Sequence, residues 1–238
     1  MGVRMTRRDV MVAMAGAVGV RAEESKLRVV VVGGHPGDPE YGCGGTIARY
    51  AAAGHAVTIL YLNHGERGCG SVSEAACGAT RTAEAERASK ILGARAAFAG
   101  LRDGGSVVDG ATYSQFDGQV EELAPDVVLT HWPMDRHPDH RAAAMLAQDA
   151  WGKMKERFAL YYYEVAEDTV GFRPVEYVDI TAVEKLRREA CYAHASQRPD
   201  HYYPAQDVIS RFRGMESGCA EAEAFAPHLE GTGRRLLP

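Results

Sequence analysis

The run Leu27-Arg28-Val29-Val30-Val31-Val32 passes without interruption into Gly33-Gly34-His35-Pro36-Gly37-Asp38. A β-branched, apolar stretch with one charge near its start is the pattern of a strand covered on both faces, the situation of a parallel sheet packed between helices. This limits the chain to an α/β architecture. The glycines that follow turn the chain at the strand's carboxyl end and deliver an imidazole and a carboxylate there, where open α/β sheets build metal and ligand sites.

The same alternation continues. Thr46 to Ala53 is expected as a helix ended by Gly54, and Ala56 to Leu62 as a second strand, giving a βαβ unit. Asn63 to Gly78 reads as a loop over the same crevice, then Thr80 to Leu92 as an amphipathic helix stopped at Gly93. A third strand is expected at Ala96 to Gly100, a helix at Ser114 to Leu123, and a fourth strand at Asp126 to Thr130. That strand opens onto His131-Trp132-Pro133-Met134-Asp135-Arg136-His137-Pro138-Asp139-His140, with a helix from Arg141 to Lys155. Strands at Leu160 to Val165 and Val175 to Ile180, a helix at Thr181 to Gln197 carrying His194, and helix from Asp207 to Phe225 complete the reading. Tyr161 to Tyr163 is expected to alternate between core and surface, and His194 to be a hydrogen-bonded structural residue. His55, His201 and His228 carry no partner pattern.

With 238 residues and 46% hydrophobic content, the chain can bury one sizeable core, and a single domain is expected over residues 23–238. A net charge of -5, with basic residues scattered, argues against a nucleic-acid partner. The five cysteines contain no C-x-x-C pair, which excludes a zinc ribbon or dithiol motif. Cys69 and Cys77 share one Gly-rich loop; free thiols are the ordinary reading, and a bridge is the alternative in an oxidising compartment. Thr6-Arg7-Arg8-Asp9-Val10-Met11 followed by small, apolar Val12 to Val20 reads as a twin-arginine export signal over residues 1–22, too short for a permanent membrane span. A periplasmic or secreted location follows if the signal operates, and a cytoplasmic one otherwise.

His35, Asp38 and His140 make a set of two imidazoles and one carboxylate, a recurring composition for zinc with an open position. Pro138 stiffens the spacing between His137 and His140. With His140 turned to a metal, His137 is left to face substrate, as general acid or as donor to an oxyanion. Asp139 either fixes the tautomer of His137 or caps the following helix.

His35-Pro36-Gly37-Asp38 with Gly42-Cys43-Gly44-Gly45-Thr46, followed by His137-Pro138-Asp139-His140-Arg141, resembles the PIG-L/LmbE-like family of zinc-dependent de-N-acetylases. Gly65-Glu66-Arg67-Gly68, Arg81-x-x-Glu84-Ala85, His194-Ala195-Ser196-Gln197, Arg213-Gly214-Met215-Glu216 and Ala222-Glu223-Ala224-Phe225 extend the resemblance from about Leu27 to Phe225. It implies a Rossmann-like three-layer α/β/α sandwich with a mostly parallel sheet. It further implies Zn2+, or another divalent metal, on His35, Asp38 and His140, and hydrolysis of the N-acetyl amide of a GlcNAc-type sugar or glycoconjugate. His137 and Asp139 would be catalytic. Arg81 and Asp103 fall where family members meet substrate; the competing reading is a solvated helix charge and a turn-forming Asp-Gly.

The first turn of the family usually reads His-Pro-Asp-Asp-Glu, and the first Asp is its general base. Here Gly37 stands at that position, with no side chain to accept a proton. Glu40 and Glu66 are the nearest substitutes by sequence, and Asp135 is a third. A slower enzyme without a dedicated base is a further reading, and so is a non-catalytic, metal-dependent carbohydrate-binding protein. Restoring the carboxylate with Gly37→Asp is expected from sequence to raise activity.

Overall fold

In the computed structural model, residues 26–228 and 237–238 are described; the proposed export segment lies outside them. Seven strands form one sheet: β1 (Arg28–Gly33), β2 (Ala56–Tyr61), β3 (Arg95–Phe98), β4 (Val127–His131), β5 (Ala159–Tyr163), β6 (Glu176–Asp179) and β7 (Ala222–Pro227). Their order is β3-β2-β1-β4-β5-β7-β6. Neighbouring strands from β3 to β5 run parallel, while β7 lies antiparallel to both β5 and β6.

The helices are α1 (Asp38–Ala52), α2 (Glu74–Ile91), α3 (Gly110–Leu123), α4 (Pro138–Lys153), α5 (Glu184–Tyr192) and α6 (Pro199–Ser217). Alternate residues of each strand serve opposite faces. Val29, Val31, Ile59 and Leu129 pack against α1, α2 and α5, whereas Val30, Val32, Leu60 and Val128 pack against α3 and α4. The result is the expected three-layer sandwich. Because both faces are covered, Tyr161, Tyr162 and Tyr163 are all buried rather than alternating with solvent.

Several boundaries differ from the sequence reading. Helix α1 begins at Asp38 and runs through Gly42 to Gly45, kinked at Cys43. Glycine is a poor helix former, but tertiary packing prevails: a Cβ on Gly42 would lie 2.4 Å from the Tyr163 ring and one on Gly45 2.6 Å from Ile180. The helix can approach the sheet only without those side chains. Helix α2 starts at Glu74 with Ser73 capping Ala76 N, inside the stretch read as loop. The segment read as helix from Asp207 to Phe225 divides into α6, ended by left-handed Gly218, and strand β7. His194 lies beyond the end of α5, before a short 3-10 turn at Ala195–Gln197.

The cysteine reading is also corrected. Cys69 and Cys77 are disulfide-bonded, closing the loop after β2 onto the start of α2, while Cys43, Cys191 and Cys219 are free. Only Cys77, within α2, is fixed by regular structure, so sequence spacing alone could not bring its partner to it.

Candidate metal centre

The strand order reverses between β1 and β4, and the crevice outside the carboxyl ends of those strands is the topological switch point. His35 and Asp38 follow β1; His131 ends β4, with Asp135, His137, Asp139 and His140 just beyond. Their approach is close enough that a Cβ on Gly34 would lie 2.8 Å from the His140 ring.

Asp38 Oδ2 joins the two imidazoles, at 3.1 Å from His35 Nδ1 and 3.0 Å from His140 Nε2, and accepts the His35 backbone N–H at 2.7 Å. His140 is oriented from behind by Asp135 Oδ1, 3.1 Å from its Nδ1. His131 stacks on the His140 ring at 3.9 Å and accepts the Gly34 N–H at 3.1 Å. Burial, then the nearby His140, lowers His131 to about 4, so this imidazole is neutral near pH 7.

Burial alone would lower the pKa of His140, but Asp38 and Asp135 outweigh it and push it up to about 9. His35 behaves likewise: burial opposes, and Asp38, Asp103 and Asp139 raise it well above its ordinary value. Asp38 is held well below the usual carboxylate range by His140 and His35, against its own burial. The imidazoles thus face carboxylates that draw positive charge onto them. Oxygen and imidazole donors in an anionic setting suit a divalent cation, which takes deprotonated ligands in exchange for protons. One donor atom each from His35, His137 and His140 lies within 4.8 Å of the others, and the same holds for Asp38, His131 and His140. This His/Asp group could hold a metal ion.

Asp139 does not support His137, as one sequence reading had it. Its carboxylate is 3.2 Å from His35 Nε2 and accepts from Asn63 Nδ2, Gly104 N and Ser106 N. Nor is Asp139 the cap of α4: His137 is the N-cap, its Nδ1 accepting the Asp139 N–H at 3.2 Å. That hydrogen bond puts the proton of neutral His137 on Nε2. Burial, with His35 and His140 nearby, lowers the His137 pKa and favours this neutral form.

His35, Asp38, His137 and His140 line a cavity of about 580 Å³, together with Arg67, Arg81, Asp103 and Tyr202. Arg81 is buried and donates to Gly65 O and Pro36 O, tying the loop after β2 to the turn after β1. Asp103 accepts Arg67 N at 2.8 Å and lies 3.2 Å from His35 Nε2.

The three carboxylates offered as substitute bases have other tasks. Glu40 is fully buried beneath the turn, accepting Gly37 N at 3.1 Å and the Tyr61 hydroxyl at 2.5 Å. Glu66 accepts Asp103 N at 2.9 Å and does not line the cavity. Asp135 accepts from His137 N and the Thr169 hydroxyl besides holding His140. Gly37 has φ 112°, a conformation open to glycine but strained for other residues, although a Cβ there would meet nothing closer than 3.8 Å.

The sequence reading missed Asp168, which lines the cavity from the loop after β5. Burial raises its pKa, with His140 opposing and Asp135 and Asp38 adding to the rise. It also missed His131. His131 ends β4 at the switch point, a rule that finds it once the strands are placed, whereas Asp168 lies in the loop after β5, one strand further out, where no sequence signal marks it. His194 departs from its expected role, since neither ring nitrogen makes a hydrogen bond. Its Nε2 lies 3.2 Å from Glu40 Oε1, and the residue forms part of the cavity wall below Gly37.

Fold and site together define a doubly wound α/β protein with a metal-ready His/carboxylate centre at its switch point. The chain belongs to the PIG-L family: the family model described as GlcNAc-PI de-N-acetylase matches residues 30–151. The 4-oxalmesaconate hydratase of Pseudomonas putida is 28% identical over 79% of this chain and 80% of its own. Diacetylchitobiose deacetylase of Thermococcus kodakarensis is 28% identical over 85% and 84%. Among solved structures, the conserved protein TT1542 from Thermus thermophilus superposes with a TM-score of 0.75 at 32% identity, covering 85% of this chain and 95% of that one. No described helix is long and apolar enough to cross a membrane.

Proposed function

We propose that this protein is a zinc-dependent hydrolase that removes the acetyl group from an N-acetylated amino sugar or its glycoconjugate. The observation that carries the reading is the convergence of His35, Asp38 and His140 with an Nε2-protonated His137 on one cavity. His35, Asp38 and His140 would hold the metal, which supplies Lewis acidity toward an acyl oxygen and toward water. The deacetylases among the relatives support the acetyl amide as substrate.

The chain's own groups divide the remaining work. His137 donates its Nε2 proton in a hydrogen bond to the oxygen that gains charge as the carbonyl carbon becomes tetrahedral. Asp135 orients His140, while Asp139 and Asp103 orient His35, as supporting carboxylates do for metal-ligating imidazoles. Arg81 braces the walls on either side through Gly65 O and Pro36 O, and it lines the cavity together with Asp103.

A second reading is hydration of a carbon–carbon double bond, favoured by the similarity to the hydratase and by the missing base at Gly37. Zinc-loaded protein should release free amine and acetate from N-acetylglucosamine or N,N′-diacetylchitobiose under the first reading. Under the second it releases neither but bleaches the absorbance of an unsaturated acid. His140→Ala should abolish both metal retention and turnover; full activity without metal would refute the site. Export by the twin-arginine route is proposed with the same function, and the Cys69–Cys77 bridge supports an oxidising compartment.

A further inference from the structure

Amide hydrolysis requires a proton acceptor for the attacking water, and the family's position for it is glycine here. Of the carboxylates facing the cavity, Asp38 is engaged by His35 and His140, and Asp103 by Arg67 N and His35. Behind the cavity lining, Asp139 accepts from Asn63, Gly104 and Ser106, and Asp135 from His137 N and Thr169. Glu40 and Glu66 are bound behind the walls.

Glu167 also lines the cavity, but it is exposed to solvent. Asp168 differs from all of these. It lines the cavity with His35, Asp38, His137 and His140, and among the described residues its carboxylate takes part in no hydrogen bond. One of its oxygens lies within 4.8 Å of a His140 nitrogen and an Asp135 oxygen. Its backbone is nonetheless fixed: Asp168 O accepts Arg136 N at 2.9 Å, Asp168 N donates to Val165 O at 3.2 Å, and Val170 N donates to Met134 O at 2.8 Å. The loop after β5 is thus stitched to the turn that carries His137, which fixes an unengaged carboxylate in the cavity wall beside His140.

We propose that Asp168 is the general base of this site, taking from the loop after β5 the place that Gly37 leaves without a side chain. This rests on the amidohydrolase reading above. Asp168 accepts a proton from water as the water oxygen bonds to the acyl carbon. It returns that proton to the amide nitrogen as the carbon–nitrogen bond breaks, so that one amide and one water become one amine and one acetic acid.

The test uses the full chain with Asp168→Asn, which keeps the shape and removes the acceptor. Zinc content and zinc affinity, measured by metal analysis and competition with a chelating dye, should match the wild type. Amine release from N,N′-diacetylchitobiose should fall by about 100- to 10,000-fold. Formate should restore part of the turnover of Asp168→Ala, where a cavity replaces the carboxylate. Loss of zinc from Asp168→Asn would make the residue a ligand and overturn the proposal. Turnover within threefold of an active wild type would overturn it as well. A wild type without amine release overturns the amidohydrolase reading and this assignment with it, so the two failures are told apart.

Discussion

The coupling of His140 to Asp38 makes the stability of the metal-free protein depend on pH in a calculable direction. His140 is raised from 6.5 in the unfolded chain to about 9 in the fold, which corresponds to about 3 kcal/mol. A raised pKa gives stability that is fully present below 6.5 and lost as pH climbs through about 9. Asp38 is the other half of the same pair and is counted once; His35, raised in the same sense, adds to the slope. For a domain of this size, each kcal/mol moves Tm by roughly 2–4 °C. Protein kept in chelator should therefore lose about 6–12 °C of Tm between about pH 6.5 and about pH 9. Zinc should oppose the loss increasingly over the same window, since it needs the imidazoles without their protons. Thermal unfolding followed by circular dichroism, with chelator and with zinc, measures both. Asp38→Asn should flatten the chelator curve. A wild-type Tm that is level or rising across this window in chelator would refute the electrostatic account of the site.

The Cys69–Cys77 bridge closes a short loop, and loop-closure entropy for a separation of 8 residues is worth about 2.5 kcal/mol. Replacing both cysteines by alanine should lower Tm by about 5–10 °C and raise KM, because Arg67 and Gly68 on that loop line the cavity; an unchanged Tm and KM would show the bridge to be idle. Sequence alone favours a gain of activity from Gly37→Asp, but the backbone argues otherwise. At φ 112° the new side chain should destabilise the fold by about 1–3 kcal/mol in a denaturant titration. With a base already at Asp168, turnover should not rise. A gain of orders of magnitude would return the role to position 37.

Most of the architecture was legible because a strand buried on both faces writes a continuous apolar run, as Val29 to Val32 does. The convergence of His35 with His137 and His140 followed from placing both turns at the carboxyl edge of one sheet. What could not be read depends on contacts distant in sequence. Helix α1 passes through four residues, Gly42 to Gly45, that propensity assigns to a turn, and it is the Tyr163, Arg187 and Ile180 side chains that explain the glycines there. Strand β7 escaped because Ala222 to Phe225 has no marked alternation and becomes a strand through pairing with β5 and β6. The direction of the Asp139 carboxylate, toward His35 rather than His137, is set by Asn63, Gly104 and Ser106 from two other loops.

Gly37 has a structural task of its own besides lacking a base. Its N–H points to Glu40, a carboxylate with no exposure to solvent, and its positive φ lets the turn present that donor. A buried carboxylate deprived of a donor is strongly destabilising, so the turn and Glu40 are fixed together with Tyr61 beneath them. An aspartate at position 37 would start from a strained backbone with its Cβ facing the His194 and Tyr41 rings. A carboxylate on the β5 side avoids that strain, and it shares a backbone hydrogen bond with the turn of His137 through Arg136 N and Asp168 O. Proton acceptor and oxyanion donor then sit on two joined loops and hold their separation when either moves. Weakening that joint, more than altering the floor of the cavity at Gly37, is the change expected to uncouple water activation from carbonyl polarisation.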